Sequence, residues 1–284
     1  MRSILLTAKG AIRYLLSLHV LYCRPWSLLS SCLVVSCLAV IWGCATLVPA
    51  PSGEPFSQND IAGLISLLRE QGEEIVSFQG LGDLSFKEGA EEIEAKLLAI
   101  GARPFKMRLE LTHPWGKPLF HIVADKRHVS VLSLADKKFF RGPPEALEVK
   151  YFFMFEADID SAWKMLSGRV PIRPHVRAVS LRPYEITLYD SQDQIVEVIS
   201  FSPGSLLVRS VSFPKKNLCI MLSEFSKTDT GFYPLGITIV KGQEDQLLEI
   251  RYKTFSMNKA IPDEVFHLNP PPNFEIIDLK DRGI

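Results

Sequence analysis

The run Val76-Ser77-Phe78-Gln79-Gly80-Leu81-Gly82-Asp83-Leu84-Ser85-Phe86-Lys87 decides the fold. Its even positions are Val76, Phe78, Gly80, Gly82, Leu84 and Phe86, and most odd positions are polar. A period of two puts alternate side chains on opposite faces, so this is a strand with one buried face. Gly80 and Gly82 fall on that face and leave room there for close packing or a bend.

Immediately upstream the period is 3.6. Ser57 is placed to cap a helix, with Asp60 at the capping-box position, and Ile61, Leu64, Ile65 and Leu68 follow at helical spacing up to Gly72. Downstream, strands are expected at 93–100, 105–111, 119–124 and 129–134, with a short one at Phe139-Phe140. Phe105, Met107, Leu109 and Leu111 alternate with Lys106, Arg108 and Glu110, and the links are short, as in an antiparallel meander. Residues 144–169 break the pattern: Ala162, Trp163 and Leu166 with a stop at Gly168 read as a short helix, with Asp158 or Asp160 as its cap. Strands resume at 184–189, 195–201, 206–213, 218–225, 235–240 and 247–255. The expected fold is mainly β (α+β): a single curved antiparallel sheet of about eleven strands, an incomplete β-barrel closed by the N-terminal helix and the helical excursion. Ile195-Val196-Glu197-Val198-Ile199 is apolar on both faces and needs cover on both sides.

The N-terminal segment has a different character. Arg2, Lys9, Arg13 and Arg24 are basic, no acid occurs before residue 44, and Leu28–Gly43 carries no charge. A basic region, an apolar region and a small residue ahead of a cut make a secretory signal over residues 1–43. Cys44 stands at the cut, and residues 44–56 form a Pro/Ser/Gly linker. The other reading is an uncleaved anchor, since 16 uncharged residues approach the roughly 20 that span a bilayer. The folded domain is expected over 57–279, with 280–284 as a tail.

Charge excludes one class. The whole chain has 32 basic and 32 acidic residues; four of the basic ones lie in the leader, leaving 28 against 32, a net charge of −4. A nucleic-acid binder would need a basic patch, so no nucleic-acid partner is expected. Cys23, Cys32, Cys37 and Cys44 belong to the leader or its end, and Cys219 stays in an apolar run, so the domain holds together without a disulfide. No HExxH, C-x-x-C, GxSxG, P-loop or GxGxxG occurs, so no enzyme, no cofactor and no metal is expected. His121 and His128 bracket a turn around Asp125 and read as a solvated loop. Val76, Phe78, Leu84, Phe86, Met107 and Leu109 form an apolar face that suits either a close-packed core or the lining of a cavity. Pro114-Trp115-Gly116 is a turn between strands, whose Trp either folds back on the sheet or protrudes. Tyr151-Phe152-Phe153-Met154-Phe155 reads first as core.

Cys44 and its setting resemble the lipoprotein signal of bacteria, in which the Cys is acylated. Four further stretches resemble the LolA/LolB lipoprotein-carrier superfamily: the helix followed by Ser77-Phe78-Gln79-Gly80-Leu81-Gly82; Phe105–Glu110 running into His113-Pro114-Trp115-Gly116-Lys117-Pro118-Leu119; Ala162–Gly168 followed by Pro171; and the tail Ile261–Phe266 with Pro270-Pro271-Pro272. The resemblance implies an incomplete barrel whose apolar interior takes acyl chains of lipoproteins, lined by the six residues named above. It implies a LolB-like monomer, itself lipid-anchored through Cys44 on the periplasmic face of the outer membrane, with a soluble LolA-like carrier as partner. Ala45 after the Cys fits outer-membrane sorting of the enterobacterial type. It also implies that Trp115 protrudes and touches the bilayer, a setting that suits an amphipathic ring. A structural envelope scaffold that binds a protein partner along a sheet edge is the alternative.

Overall fold

The computed structural model describes residues 53–144, 159–228, 231–242 and 246–279. The leader 1–43, Cys44, most of the linker, Tyr151–Phe155 and the tail 280–284 lie outside them.

The capping box forms as the sequence requires. Ser57 Oγ accepts the Asp60 N–H and the Asp60 carboxylate accepts the Ser57 N–H, starting α1 (Gln58–Glu74). Ile61 and Ile65 of α1 are buried against the sheet. Fourteen strands follow in one sheet: β1 (Ser77–Glu88), β2 (Glu91–Ala102), β3 (Lys106–Thr112), β4 (Pro118–Ala124), β5 (Val129–Ser133), β6 (Lys138–Gly142), β7 (Arg177–Val179), β8 (Glu185–Tyr189), β9 (Ile195–Phe201), β10 (Val208–Phe213), β11 (Leu218–Thr228), β12 (Gly231–Lys241), β13 (Gln246–Met257) and β14 (Glu275–Asp278). A second helix, α2 (Ile159–Leu166), precedes β7.

The spatial order is β14-β6-β5-β4-β3-β2-β1-β13-β12-β11-β10-β9-β8-β7. The chain lays down one meander from β1 to β6 and a second from β7 to β13, and β1 pairs with β13 to join them. The ends β14 and β7 do not pair, so the sheet is unclosed. Register shifts at Leu81/Gly82, Leu111/Thr112, Leu188/Tyr189 and Val208/Ser210 add local twist and bend. Two edge strands exceed the expected set. β7 and β14 span three and four residues, too short to show a period, and exist because a longer neighbour supplies their bonds. β14 also departs from the expected antiparallel pattern: it runs parallel to β6. The expected strand at 206–213 begins at Val208, because Leu206 adopts a positive φ in the preceding loop.

Alternation of direction sorts the turns into two rims. The β3–β4 hairpin shares a rim with the β1–β2, β8–β9 and β12–β13 turns. The other rim carries the β2–β3, β9–β10 and β11–β12 turns. α1 lies along this second rim: it enters beside Tyr184 and Phe201, which Phe56 meets edge-on, and leaves where Arg103 caps the Gly72 and Ile75 carbonyls.

The glycines of β1 earn their place through contact. A Cβ on Gly82 would land on the Arg251 carbonyl at the bulge, and one on Gly80 would strike the Tyr252 ring. Backbone cannot step aside as a flexible side chain can. Gly82→Ala is expected to cost about 2–3 kcal/mol in urea unfolding, whereas the same change at Gly63, inside α1 with open space around it, should raise stability by about 0.5–1 kcal/mol.

Candidate functional site

The inner face of the sheet is apolar across nearly every strand. From β1 to β4 it carries Phe78, Phe86, Leu97, Ala99, Met107, Leu109 and Ile122, all buried. From β8 to β13 it carries Leu188, Ile199, Val211, Ile220, Ile237 and Ile250, also buried. Phe78, Phe86, Met107 and Leu109 sit on this face, and Leu84 packs against it half-buried. Val76 does not: it is 52% exposed. Ile75, the last residue of the helix's exit, takes the buried position, and Val76 instead spends its backbone bonding Asn258 Oδ1 and the Arg103 N–H. The alternation therefore starts at Phe78.

α2 covers this face. Trp163 is wholly buried and meets Phe78 at 5.4 Å and Phe105 at 6.2 Å, both edge-on. Arg103 lies over the Trp163 ring at 5.1 Å and over Phe105 at 5.4 Å, so a single side chain ties the exit of α1 to the helix inside the sheet. Tyr252 of β13 donates its hydroxyl to the Leu166 carbonyl at 2.9 Å, and burial raises the phenol well above its ordinary pKa. Ser167 and Gly168 end the helix, Gly168 with φ +72° and the Arg169 N–H returning to the Lys164 carbonyl. The chain from Val170 to Val176 then crosses towards the start of β7, with Val170 buried and Ile172 packed on the core.

Among the described residues three buried polar atoms have no hydrogen-bond partner: Trp163 Nε1, Arg169 Nε and Glu197 Oε1. Loss of hydration makes each costly to leave unmatched. Arg169 lies below its ordinary pKa through burial, partly offset by Glu74. Glu197 was the acid inside an apolar run, and it lies on the inner face between Ile199 and the Leu188 pair. Its Oε2 accepts the Arg173 backbone N–H at 2.8 Å. Burial pushes its carboxyl up to about 7, against the opposing pull of that hydrogen bond and the Arg173 charge. The sequence signal was present, an acid at an inward position of a strand, but periodicity alone cannot distinguish it from an outward one when both faces are apolar.

The β3–β4 hairpin projects Trp115. The Gly116 N–H returns to the His113 carbonyl, the His113 N–H to the Lys117 carbonyl, and Gly116 has φ +87°, the pattern of a three-residue loop with a bulge glycine. Trp115 is 91% exposed, touching the His113 imidazole at 4.8 Å. It does not fold back on the sheet. A cleft of about 440 Å³ reaches the hairpin at Pro114, but Asp83, Glu94, Lys96, Glu249 and Arg251 line it, which suits no acyl chain.

Asp125 Oδ1 accepts the Arg127 and His128 N–H groups and so shapes the β4–β5 turn. Cys219 is half-buried, with the Ser212 hydroxyl at 3.5 Å. On the outer face a strap formed by residues 262–273 lies over β3: Lys106 pairs with Asp263 at 2.9 Å, and Arg108 donates to the Val265 carbonyl at 2.9 Å. Among the described residues no helix is long and apolar enough to cross a membrane.

No family model and no curated protein sequence matches the chain. Solved structures do. A DUF1329 family protein from Desulfovibrio piger is similar at TM-score 0.49 and 9% identity, over 73% of this chain and 97% of that one. A LolA superfamily protein from Nitrosomonas europaea is similar at TM-score 0.43 and 11% identity, over 72% and 97%. An outer membrane lipoprotein-sorting protein domain from Vibrio parahaemolyticus is similar at TM-score 0.34 and 9% identity, over 74% and 97%. Among the described residues the fold is a mainly β, unclosed curved sheet with two helices.

The raised carboxyl has a definite consequence for pH. Its contribution to the closed arrangement is fully present below the ordinary carboxylate pKa of 4.5 and is lost as pH rises through about 7. The difference is on the order of 3 kcal/mol. Melting temperature should therefore fall between pH 4.5 and pH 7, and Glu197→Gln should flatten this part of the profile in thermal scans.

Proposed function

We propose that this chain is an outer-membrane lipoprotein that takes up acyl chains of other lipoproteins and passes them to the bilayer without covalent chemistry. The observation that carries this reading is the pairing of a continuous apolar inner face with a short cover. α2 lays Trp163 across the face and buries Ala162, Met165 and Leu166 with it, yet the helix is only eight residues long. Lifting it exposes Phe78, Phe86, Met107 and Leu109, with Leu84 at the margin, to an entering chain. Each methylene moved from water to that face is worth about 0.8 kcal/mol. Transfer then runs on differences in acyl affinity between donor, this protein and the membrane.

The remaining parts fit that role. Cys44, acylated, holds the protein at the periplasmic face of the membrane, and a monomer suffices. An incoming soluble LolA-like carrier supplies the acyl chains. Pro114, Trp115 and Gly116 form the membrane-contact loop, because an indole at a hairpin tip favours the interface between water and lipid. The scaffold alternative has in its favour that β7 ends the sheet among the described residues, and it requires the interior to stay closed.

Native mass spectrometry of the purified protein, before and after challenge with a tripalmitoyl-cysteinyl peptide, separates the two. Binding of one acylated peptide per protein is the expected result, and a mass unchanged by the challenge would leave the scaffold reading. In a reconstituted transfer assay, Trp115→Glu should leave the melting temperature unchanged and abolish delivery to vesicles. Delivery at the native rate by that variant would remove the hairpin from the mechanism.

A further inference from the structure

Glu197 is the only carboxyl or basic side chain among the buried residues of the described structure. It stands on the inner face of β9, opposite Leu188 and two residues from Ile199, both of which are wholly buried. One carboxyl oxygen serves the Arg173 N–H; the other has no partner among the described residues. Arg173 belongs to the segment that follows α2, and its guanidinium lies 5.5 Å over the Phe213 ring of the neighbouring β10. A carboxyl in an apolar wall, with one oxygen bonded and an acceptor to spare, stabilises the closed protein poorly. A hydrocarbon side chain of the same size would serve the core better.

The arrangement changes meaning once the cover moves. Displacing the segment after α2 withdraws the Arg173 N–H and leaves both carboxyl oxygens facing the opened interior. An acyl chain joined to its head through an amide brings an N–H donor into the same space. A free hydrocarbon tail or an acyl ester brings none. Resting on the acyl-binding reading above, we infer that Glu197 is the polar recognition point of the interior, an acceptor that selects acyl amides, such as the N-acylated cysteine of a lipoprotein, over acyl esters. A site built to receive an N–H discriminates against the analogue lacking it, because the buried acceptor is then left unmatched.

The test uses two probes that differ only in N–H for O: N-methylpalmitamide and methyl palmitate. Their dissociation constants for the purified protein are measured by titration with native mass spectrometry. The native protein should prefer the amide by about tenfold or more. Glu197→Leu should bind methyl palmitate as the native protein does and prefer the amide by less than about twofold. Glu197→Gln keeps a side-chain carbonyl as acceptor and should keep the preference, which a merely structural role for the residue would not require. Melting curves of both variants check that each is folded. Equal binding of the two probes by the native protein, or a preference that survives Glu197→Leu, overturns this inference while leaving acyl binding intact. Failure of both probes to bind the native protein refutes acyl binding and the inference with it.

Discussion

Everything in this molecule depends on covering one apolar face. A sheet of fourteen strands that does not close on itself exposes a concave surface of Phe, Leu, Ile and Val. Water cannot be left against so much hydrocarbon. The cover is α2, and within it Trp163, which meets both Phe78 of the first meander and Phe105 at its rim. Loss of a buried Trp of this kind costs about 3–5 kcal/mol in general. Around it Ala162, Met165 and Leu166 are buried with the indole, and three polar contacts add to that burial: Arg103 over the indole, Tyr252 on the Leu166 carbonyl, and Glu197 on the Arg173 N–H.

The two rims divide the labour. α1 lies along one and carries the exit tie at Arg103. The other bears the Trp115 hairpin, whose indole meets solvent almost completely. The segment that follows α2 heads for this second rim, where Val176 bonds the Tyr189 carbonyl at the foot of β7. The segment after α2 and the protruding indole thus share one rim.

Much of this was legible in the residues. Ser57 and Asp60 announced the capping box, and the alternation from Phe78 to Phe86 announced the strand and its inward face, because both signals are local and strong. Gly80 and Gly82 were read as room for packing, and Tyr252 and the Arg251 backbone occupy that room. Where the signal failed, its range had been exceeded. Val76 continues the period on paper, but the chain is still leaving the helix there and Ile75 takes the buried place. β7 and β14 borrow their existence from neighbours distant in sequence, so no window of three or four residues could show them. Glu197 was visible as an acid in a run apolar on both faces, and only the sheet's curvature decides that it points inward. Whether Trp115 folded back or protruded depended on the hairpin's bulge glycine, which the sequence named without giving its φ.

The central claim is that α2 is a movable cover and not a fixed part of the core. Hydrogen exchange of the amides in α2, with and without a bound tripalmitoyl-cysteinyl peptide, tests it most directly. Protection in α2 should drop on binding while β1 and β13 keep theirs. An α2 that stays equally protected with the peptide bound would contradict the account.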